Sequence, residues 1–269
     1  MHLAVCVKQV PDTTEVRIDP ETNTLVREGV PSILNPDDAH ACEAAVELKE
    51  RYGGKVTVVC MGPPQAVDVI RECISFGADR GILVSDRPFA GADTWATSYT
   101  VGLALKRLDA EEKIDMILCG KQAIDGDTAQ VGPGLARRMG IPQVTYACGV
   151  EQVDEKQKTA RVLRRLEKGI EVVQAPIPCL LTCVEEMNEI RYASLPNMIR
   201  AARYQPETWR KDDIRADDGL LGLKGSPTMV ARIFPPPPRD PGEMLAGGTQ
   251  DPALAAQALV DKLVEFVEG

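Results

Sequence analysis

The run Cys119-Gly120-Lys121-Gln122-Ala123-Ile124-Asp125-Gly126-Asp127-Thr128-Ala129-Gln130-Val131-Gly132-Pro133 follows an apolar stretch and opens a helical pattern. Small residues at such a junction let backbone amides approach an anion at a helix N-terminus, and Thr128 and Gln130 add neutral donors. Asp125 and Asp127 would repel a bare phosphate unless they cap the helix or reach a ribose hydroxyl. A plain capped helix explains the same residues, so the residues alone leave both readings open. A second segment, Gly91-Ala92-Asp93-Thr94-Trp95-Ala96-Thr97-Ser98, carries three hydroxyls. Capping accounts for one of them.

Other chemistries are poorly supplied. The chain has no G-x-S-x-G, no G-x-G-x-x-G and no Walker motif. Eight cysteines occur without a C-x-x-C pair and beside only two histidines, which argues against a zinc centre. Cys6 in LAVCV and Cys119 in MILCG sit in apolar runs, as small reduced hydrophobes do. His40 falls inside a predicted helix, and Asp37 and Asp38 read as helix-start acids rather than metal ligands.

The elements that must hold these segments alternate. Apolar runs at Leu3–Val7, Lys55–Met61, Gly81–Val84, Ile114–Cys119 and Gln143–Ala147 predict buried strands. Helices are expected from Asn35-Pro36-Asp37-Asp38 to Gly53, from Pro64 to Phe76, from Asp93 to Leu108 and from Thr128 to Met139. In the first of these, Asn35 is expected to supply the cap. A hairpin excursion is expected from Glu15–Asp19 and Thr24–Arg27. The alternation calls for a parallel, doubly wound α/β sheet, with ligands beyond the carboxyl ends of its strands.

Val153, Val162–Leu166 and Ile170–Gln174 predict a small antiparallel extension, and Pro178–Val184 one more buried strand. From Glu186 the alternation fades into Pro- and Gly-rich sequence, including Pro235–Pro238, before a helical face returns at Ala253–Phe266. We therefore expect a nucleotide-binding domain over residues 1–185 and, over 186–269, a loop and an extended arm that lies on another subunit. With 40 acidic against 31 basic residues the formal charge is −9, and aromatics are 4 %, which disfavours a nucleic-acid binder. No run of about 18 apolar residues predicts membrane insertion, and the reduced cysteines suit a cytoplasmic setting.

Six separated segments resemble the beta, or small, subunit of electron transfer flavoproteins. They are Val7-Lys8-Gln9-Val10-Pro11-Asp12, Asn35-Pro36-Asp37-Asp38, Gly62-Pro63-Pro64-Gln65, Gly77-Ala78-Asp79-Arg80-Gly81, Gly120-Lys121-Gln122-Ala123-Ile124-Asp125 and Arg191-Tyr192-Ala193-Ser194-Leu195-Pro196-Asn197. Pro178-Cys179-Leu180-Leu181-Thr182 adds a further match, and Lys168 departs from the usual Gly or acid. The resemblance implies an adenine-nucleotide alpha-hydrolase-like sheet. Pro11–Glu15, Asn35–Asp38, Gly91–Ser98 and Asp125–Thr128 look like the electron-bifurcating branch, in which FAD takes the pocket that holds AMP in simple carriers.

Carried over residue by residue, the resemblance implies FAD contacts from Cys6 and Val7, from a wall of Asn35, Pro36, Asp37 and Asp38, and from Met61. Asp93, Thr94 and Thr97 would approach the pyrophosphate and ribityl chain. Gly120, Lys121, Gln122, Ala123, Ile124, Asp125, Gly126, Asp127, Thr128, Ala129, Gln130 and Val131 would wrap the AMP half. No side chain is implied as a covalent catalyst. The implied partners are an alpha subunit carrying another FAD, NADH as donor, ferredoxin or flavodoxin as low-potential acceptor, and an acyl-CoA or 2-hydroxy-acid dehydrogenase. Tyr192, Leu195 and Pro196 would dock that dehydrogenase, with Leu195 held outward by a rigid extended turn. A carrier subunit that binds AMP, and a nucleotide-binding sensor of the universal-stress type, remain the alternatives.

Overall fold

The computed structural model describes residues 1–12, 17–18, 25–26, 31–229, 231, 242, 245, 248 and 250–268. Its elements begin with β1 (His2–Val7), β2 (Gln9–Pro11), β3 (Arg17–Ile18), β4 (Leu25–Val26), β5 (Ser32–Leu34), α1 (Pro36–Tyr52), β6 (Lys55–Met61), α2 (Val67–Phe76) and β7 (Arg80–Val84). They continue with α3 (Thr94–Glu111), β8 (Met116–Gly120), α4 (Val131–Met139), β9 (Gln143–Asp154), β10 (Thr159–Leu166), β11 (Gly169–Pro176) and β12 (Cys179–Cys183). Last come α5 (Leu195–Arg203), β13 (Glu207–Trp209), the short α6 (Gly222–Gly225) and α7 (Pro252–Glu268).

One nine-stranded sheet runs β11-β10-β9-β12-β8-β1-β6-β7-β13. From β9 to β13 every pair is parallel, while β9, β10 and β11 pair antiparallel at one edge. The expected α/β sheet with an antiparallel extension is therefore present. Its two faces follow from the period of two along each strand. Leu3, Val5 and Val7 of β1 join a core with α1 and α2, whereas Ala4 and Cys6 join a second core with α3 and α4. Both faces of β1 are covered, so all six of its residues are buried.

The expected hairpin is seen where Arg17 pairs with Val26 and Ile18 with Leu25. Its remaining residues, and Pro235–Pro238, lie outside the described residues. Three element readings need correction. The fourth helix starts at Val131 rather than Thr128, because Asp127 and Ala129 have positive φ of 49° and 53°, which an α-helix cannot contain. Past Glu186 the chain forms α5, and β13 extends the parallel sheet beside β7. Leu195 begins α5 rather than an extended turn; Ser194 caps that helix by accepting from the Asn197 N–H.

The chain divides into two compact units, Met1–Ala231 and Arg232–Gly269. Helix α7 belongs to the second and bears out the helical face expected there. Among the described residues, no helix is long and apolar enough to cross a membrane.

Candidate functional site

Strands β1, β6 and β8 are neighbours in the sheet, and their carboxyl ends open into a cleft of about 690 Å³. Ligands of open parallel sheets bind at this edge. The volume lies within the ~300–1,000 Å³ usual for small-molecule and cofactor sites. Cys6, Val7, Met61, Asp38, Asp93, Thr94 and Thr97 line it, as do Gly120, Lys121, Gln122, Ala123, Gly126, Asp127, Thr128, Ala129, Gln130 and Val131. The two segments singled out in the sequence thus face one another across a single cavity.

The wall after β8 is built from backbone. Ala129 has a φ of 53° and Gln130 follows in the right-handed helical region at φ −108°, ψ −16°. Successive residues of opposite hand turn their N–H groups into one concavity, an arrangement that suits anions. Helix α4 then begins with no side-chain cap at its N-terminus, with Gln130, Val131 and Gly132 on the cleft wall. Its first amides and its dipole add to the same positive field. Gly132 is required here by packing: a Cβ would stand 2.7 Å from Thr182 Cγ2 and 3.0 Å from Cys119 Sγ.

The opposite wall is different. Asp93 caps α3, accepting from the N–H groups of Trp95 at 2.9 Å and Ala96 at 3.0 Å. Thr228 adds its N–H and hydroxyl to the second carboxylate oxygen at 3.0 and 2.7 Å. A carboxylate already satisfies this helix start, so the anion-attracting end of the cleft is α4 and not α3. The Ser98 hydroxyl donates to the Trp95 carbonyl and accepts from Arg138 Nε. It serves the helix pair and not the cleft.

Asn35-Pro36-Asp37-Asp38 acts mainly beneath the wall. Only Asp38 among the four lines the cleft. The expected Asn35 cap is absent; the side chain instead bonds the Gln122 carbonyl and the Ile124 N–H, a more distant pair of backbone groups. Asp37 accepts from the Gln122 N–H at 3.4 Å. Asp38 is buried, and its two oxygens accept from the N–H groups of Lys8 and Gly120, each at 2.8 Å. Burial pushes its carboxyl up to about 7 against the pull of those two donors.

Ile124 and Asp125 also stand off the cleft lining, though Asp125 pairs with Lys8 Nζ at 2.6 and 2.8 Å. His40 is a tie to the segment after β12, with Nδ1 2.9 Å from Asn188 Oδ1. Lys8, Val59, Phe89, Val101 and Thr228 line the cleft but were not among the site residues expected from the sequence. Lys8 carried a usable signal, a cation one residue past a buried strand. Thr228 carried none, because it arrives from far along the chain.

The floor thiols Cys6 and Cys119, and Cys183 at the end of β12, are not set up as nucleophiles. Burial raises the Cys6, Cys119 and Cys183 thiols well above their usual range, with Asp38 nearby adding to the effect. They remain protonated and inert. Among the described residues, no group of carboxylates, cysteines and histidines is placed to hold a metal. The cleft offers apolar contact, backbone donors and hydroxyls, with Lys8, Lys121, Asp38, Asp93 and Asp127 as the charged members of its lining, a set able to bind a phosphorylated cofactor.

On a different part of the surface Tyr192 is fully exposed and Leu195 is 69 % exposed, and Pro196 is exposed as well. Just before them, Arg191 forks onto Glu43, which is only 2 % exposed, and onto Glu50, both on α1.

Residues 22–214 match the family model described as the electron transfer flavoprotein domain. The chain is 50 % identical over 266 residues to the caffeyl-CoA reductase-Etf complex subunit CarD of Acetobacterium woodii, covering 98 % of each protein. It is 48 % identical to the electron transfer flavoprotein subunit beta of Clostridium acetobutylicum, again covering 98 % of each. It is 46 % identical to protein FixA of Azotobacter vinelandii, covering 98 % of this chain and 94 % of that one. With these matches along nearly its whole length, the chain belongs to the electron transfer flavoprotein family, as a beta-type subunit.

Proposed function

We propose that this chain is the FAD-binding beta subunit of an electron-bifurcating electron transfer flavoprotein. The observation that carries the reading is the two-walled cleft. An AMP would engage the concavity at Ala129–Gln130 and the open start of α4. The cavity continues past it to Phe89, Val101, Thr94 and Thr97, where a further ring system has apolar contact and hydroxyls. The donor set fits: amide N–H groups and a helix start favour a pyrophosphate, and the floor of Cys6, Val59 and Cys119 is apolar.

Bound there, FAD would supply hydride acceptance from NADH and division of the electron pair between ferredoxin or flavodoxin and the alpha-subunit FAD. The chain's own contribution is binding and exclusion. Gly126–Gln130 and α4 hold the phosphates, Thr94 and Thr97 donate toward the linker between phosphate and ring, and Phe89 and Val101 keep water from the inner end. Burial keeps the floor thiols Cys6 and Cys119 protonated, so neither is a thiolate beside the cofactor.

The terminal partner is a dehydrogenase of the acyl-CoA or 2-hydroxy-acid type, in a cytoplasmic complex with an alpha subunit. The name of the Acetobacterium relative, a subunit of a caffeyl-CoA reductase complex, supports the acyl-CoA member of that pair. The exposed Tyr192–Pro196 segment is the docking point proposed for it, within residues 186–269, the loop and arm proposed to reach the alpha subunit.

The test is coupling. NADH should bleach the flavin of the purified complex with its alpha subunit in the absence of any dehydrogenase. Ferredoxin should be reduced only when the dehydrogenase and its oxidised substrate are also present. Ferredoxin reduction by NADH alone, or no bleaching, contradicts the proposal.

A further inference from the structure

Asn35 is fully buried at the entrance to α1 and yet caps nothing. Its Nδ2 donates to the Gln122 carbonyl at 2.8 Å, and its Oδ1 accepts from the Ile124 N–H at 3.1 Å. The two bonds flank Ala123, so a single amide side chain pairs with the loop much as a neighbouring strand would. Its backbone N–H donates to the Lys8 carbonyl at 3.0 Å, which fastens the same residue to the chain leaving β1.

The groups held in this way are those whose neighbours form the cleft. Gln122, Ala123 and Gly126–Gly132 line it, while Asn35 itself does not. Asp38 holds the Gly120 N–H at the start of the loop and Asp37 the Gln122 N–H at a longer 3.4 Å, while the Lys8–Asp125 pair is half-exposed, and such pairs hold weakly. A buried amide satisfied at both ends holds far better, because leaving either partner unpaired costs its desolvation. The chemistry also selects the residue. Asparagine donates and accepts at one reach; aspartate only accepts when ionised and would face the Gln122 carbonyl oxygen with another oxygen.

We propose that Asn35 is a positioning residue for the nucleotide loop, holding residues 120–132 in their cleft-forming conformation without touching the ligand. The inference rests on the reading that the cleft holds a nucleotide. It assigns the first residue of the Asn35–Asp38 segment to the loop rather than to the cofactor.

The experiment compares wild type, Asn35→Asp and Ile124→Pro, each purified as the complex with its alpha subunit. Asn35→Asp loses the donation to the Gln122 carbonyl, whereas Ile124→Pro removes the other bond, from the loop side, and leaves the buried asparagine in place. Ile124 is the second residue of a turn closed by the Gly126 N–H to the Ala123 carbonyl at 3.2 Å, a position that suits proline. Amide hydrogen exchange is read without added nucleotide, and FAD and AMP are then titrated into flavin-depleted complex.

Both variants should speed exchange across residues 122–128 by at least about tenfold while β6 and β7 keep their protection. Both should weaken FAD binding by at least about tenfold. Unchanged loop exchange, or faster exchange throughout the chain, overturns the clasp. A loosened loop with unchanged FAD affinity overturns its role in binding. If wild type takes up neither FAD nor AMP, the nucleotide reading fails by itself, and the exchange data still decide whether Asn35 holds the loop.

Discussion

Asp38 and Gly120 meet at a single oxygen. Oδ1 of the buried carboxylate accepts from the glycine N–H at 2.8 Å, and a Cβ added to that glycine would stand 2.5 Å from the same atom. The second oxygen holds the Lys8 N–H. One carboxylate therefore joins the ends of β1 and β8, the two strands that set the cleft floor.

Gly120→Ala should break this junction. The added methyl would also meet Asp37 Cβ at 2.6 Å, so α1 must shift. Overpacking of this kind costs about 1–3 kcal/mol. Thermal unfolding of the complex should show a lower Tm, with FAD retention reduced in parallel. An unchanged Tm would mean that the strand end has slack the geometry does not show.

Asp38→Asn tests the charge. An unfolded aspartate titrates near ~3.9, whereas burial pushes Asp38 up to about 7 in the fold. Between those values the folded chain binds more protons than the unfolded one, so the stability this group contributes falls as pH rises through that window. The Tm of wild type minus that of Asp38→Asn should decline from about pH 4 to 7 and level off above it. A difference that climbs with pH would show that the carboxylate is stabilised, not penalised, by its site.

Thr94→Ala combined with Thr97→Ala addresses the second wall. Each hydrogen bond to the neutral linker is worth about 0.5–1.5 kcal/mol, so FAD occupancy of this cleft should fall while flavin in the alpha subunit stays. Flavin content by acid extraction checks it. Unchanged content would mean that neither hydroxyl meets the linker and that the wall at α4 holds the cofactor without them.

Leu195→Ala should leave both flavins, the subunit pairing and NADH reduction intact while slowing electron delivery to the dehydrogenase. The side chain is 69 % exposed at the start of α5, and burying a leucine in a partner is worth about 1.5–3 kcal/mol. The rise in half-saturating dehydrogenase concentration measures this. Loss of the alpha subunit instead would make Leu195 a subunit contact.

The parallel sheet was legible because buried strands such as Leu3–Val7 and Lys55–Met61 leave continuous apolar runs between helical patterns. The cleft was legible for a related reason: strand ends mark its place, and Gly91–Ser98 and Gly120–Gly132 follow two of them. What stayed hidden was long-range. Asn35 reads as a cap because Asn-Pro-Asp-Asp is good local cap chemistry, but its bonds span 87 and 89 residues. Strand β13 is three residues long and offers only Trp209 as a buried anchor, too little for a periodic signal. The start of α4 was misplaced because Ala129 adopts a positive φ that its residue type does not announce.

The central claim is that the cleft of this chain holds FAD, and nucleotide content tests it most directly. The complex with its alpha subunit, purified without added cofactor, should release two FAD and no AMP per heterodimer on acid extraction. One FAD and one AMP per heterodimer would contradict the account and make this chain the AMP-binding subunit of a simple electron carrier.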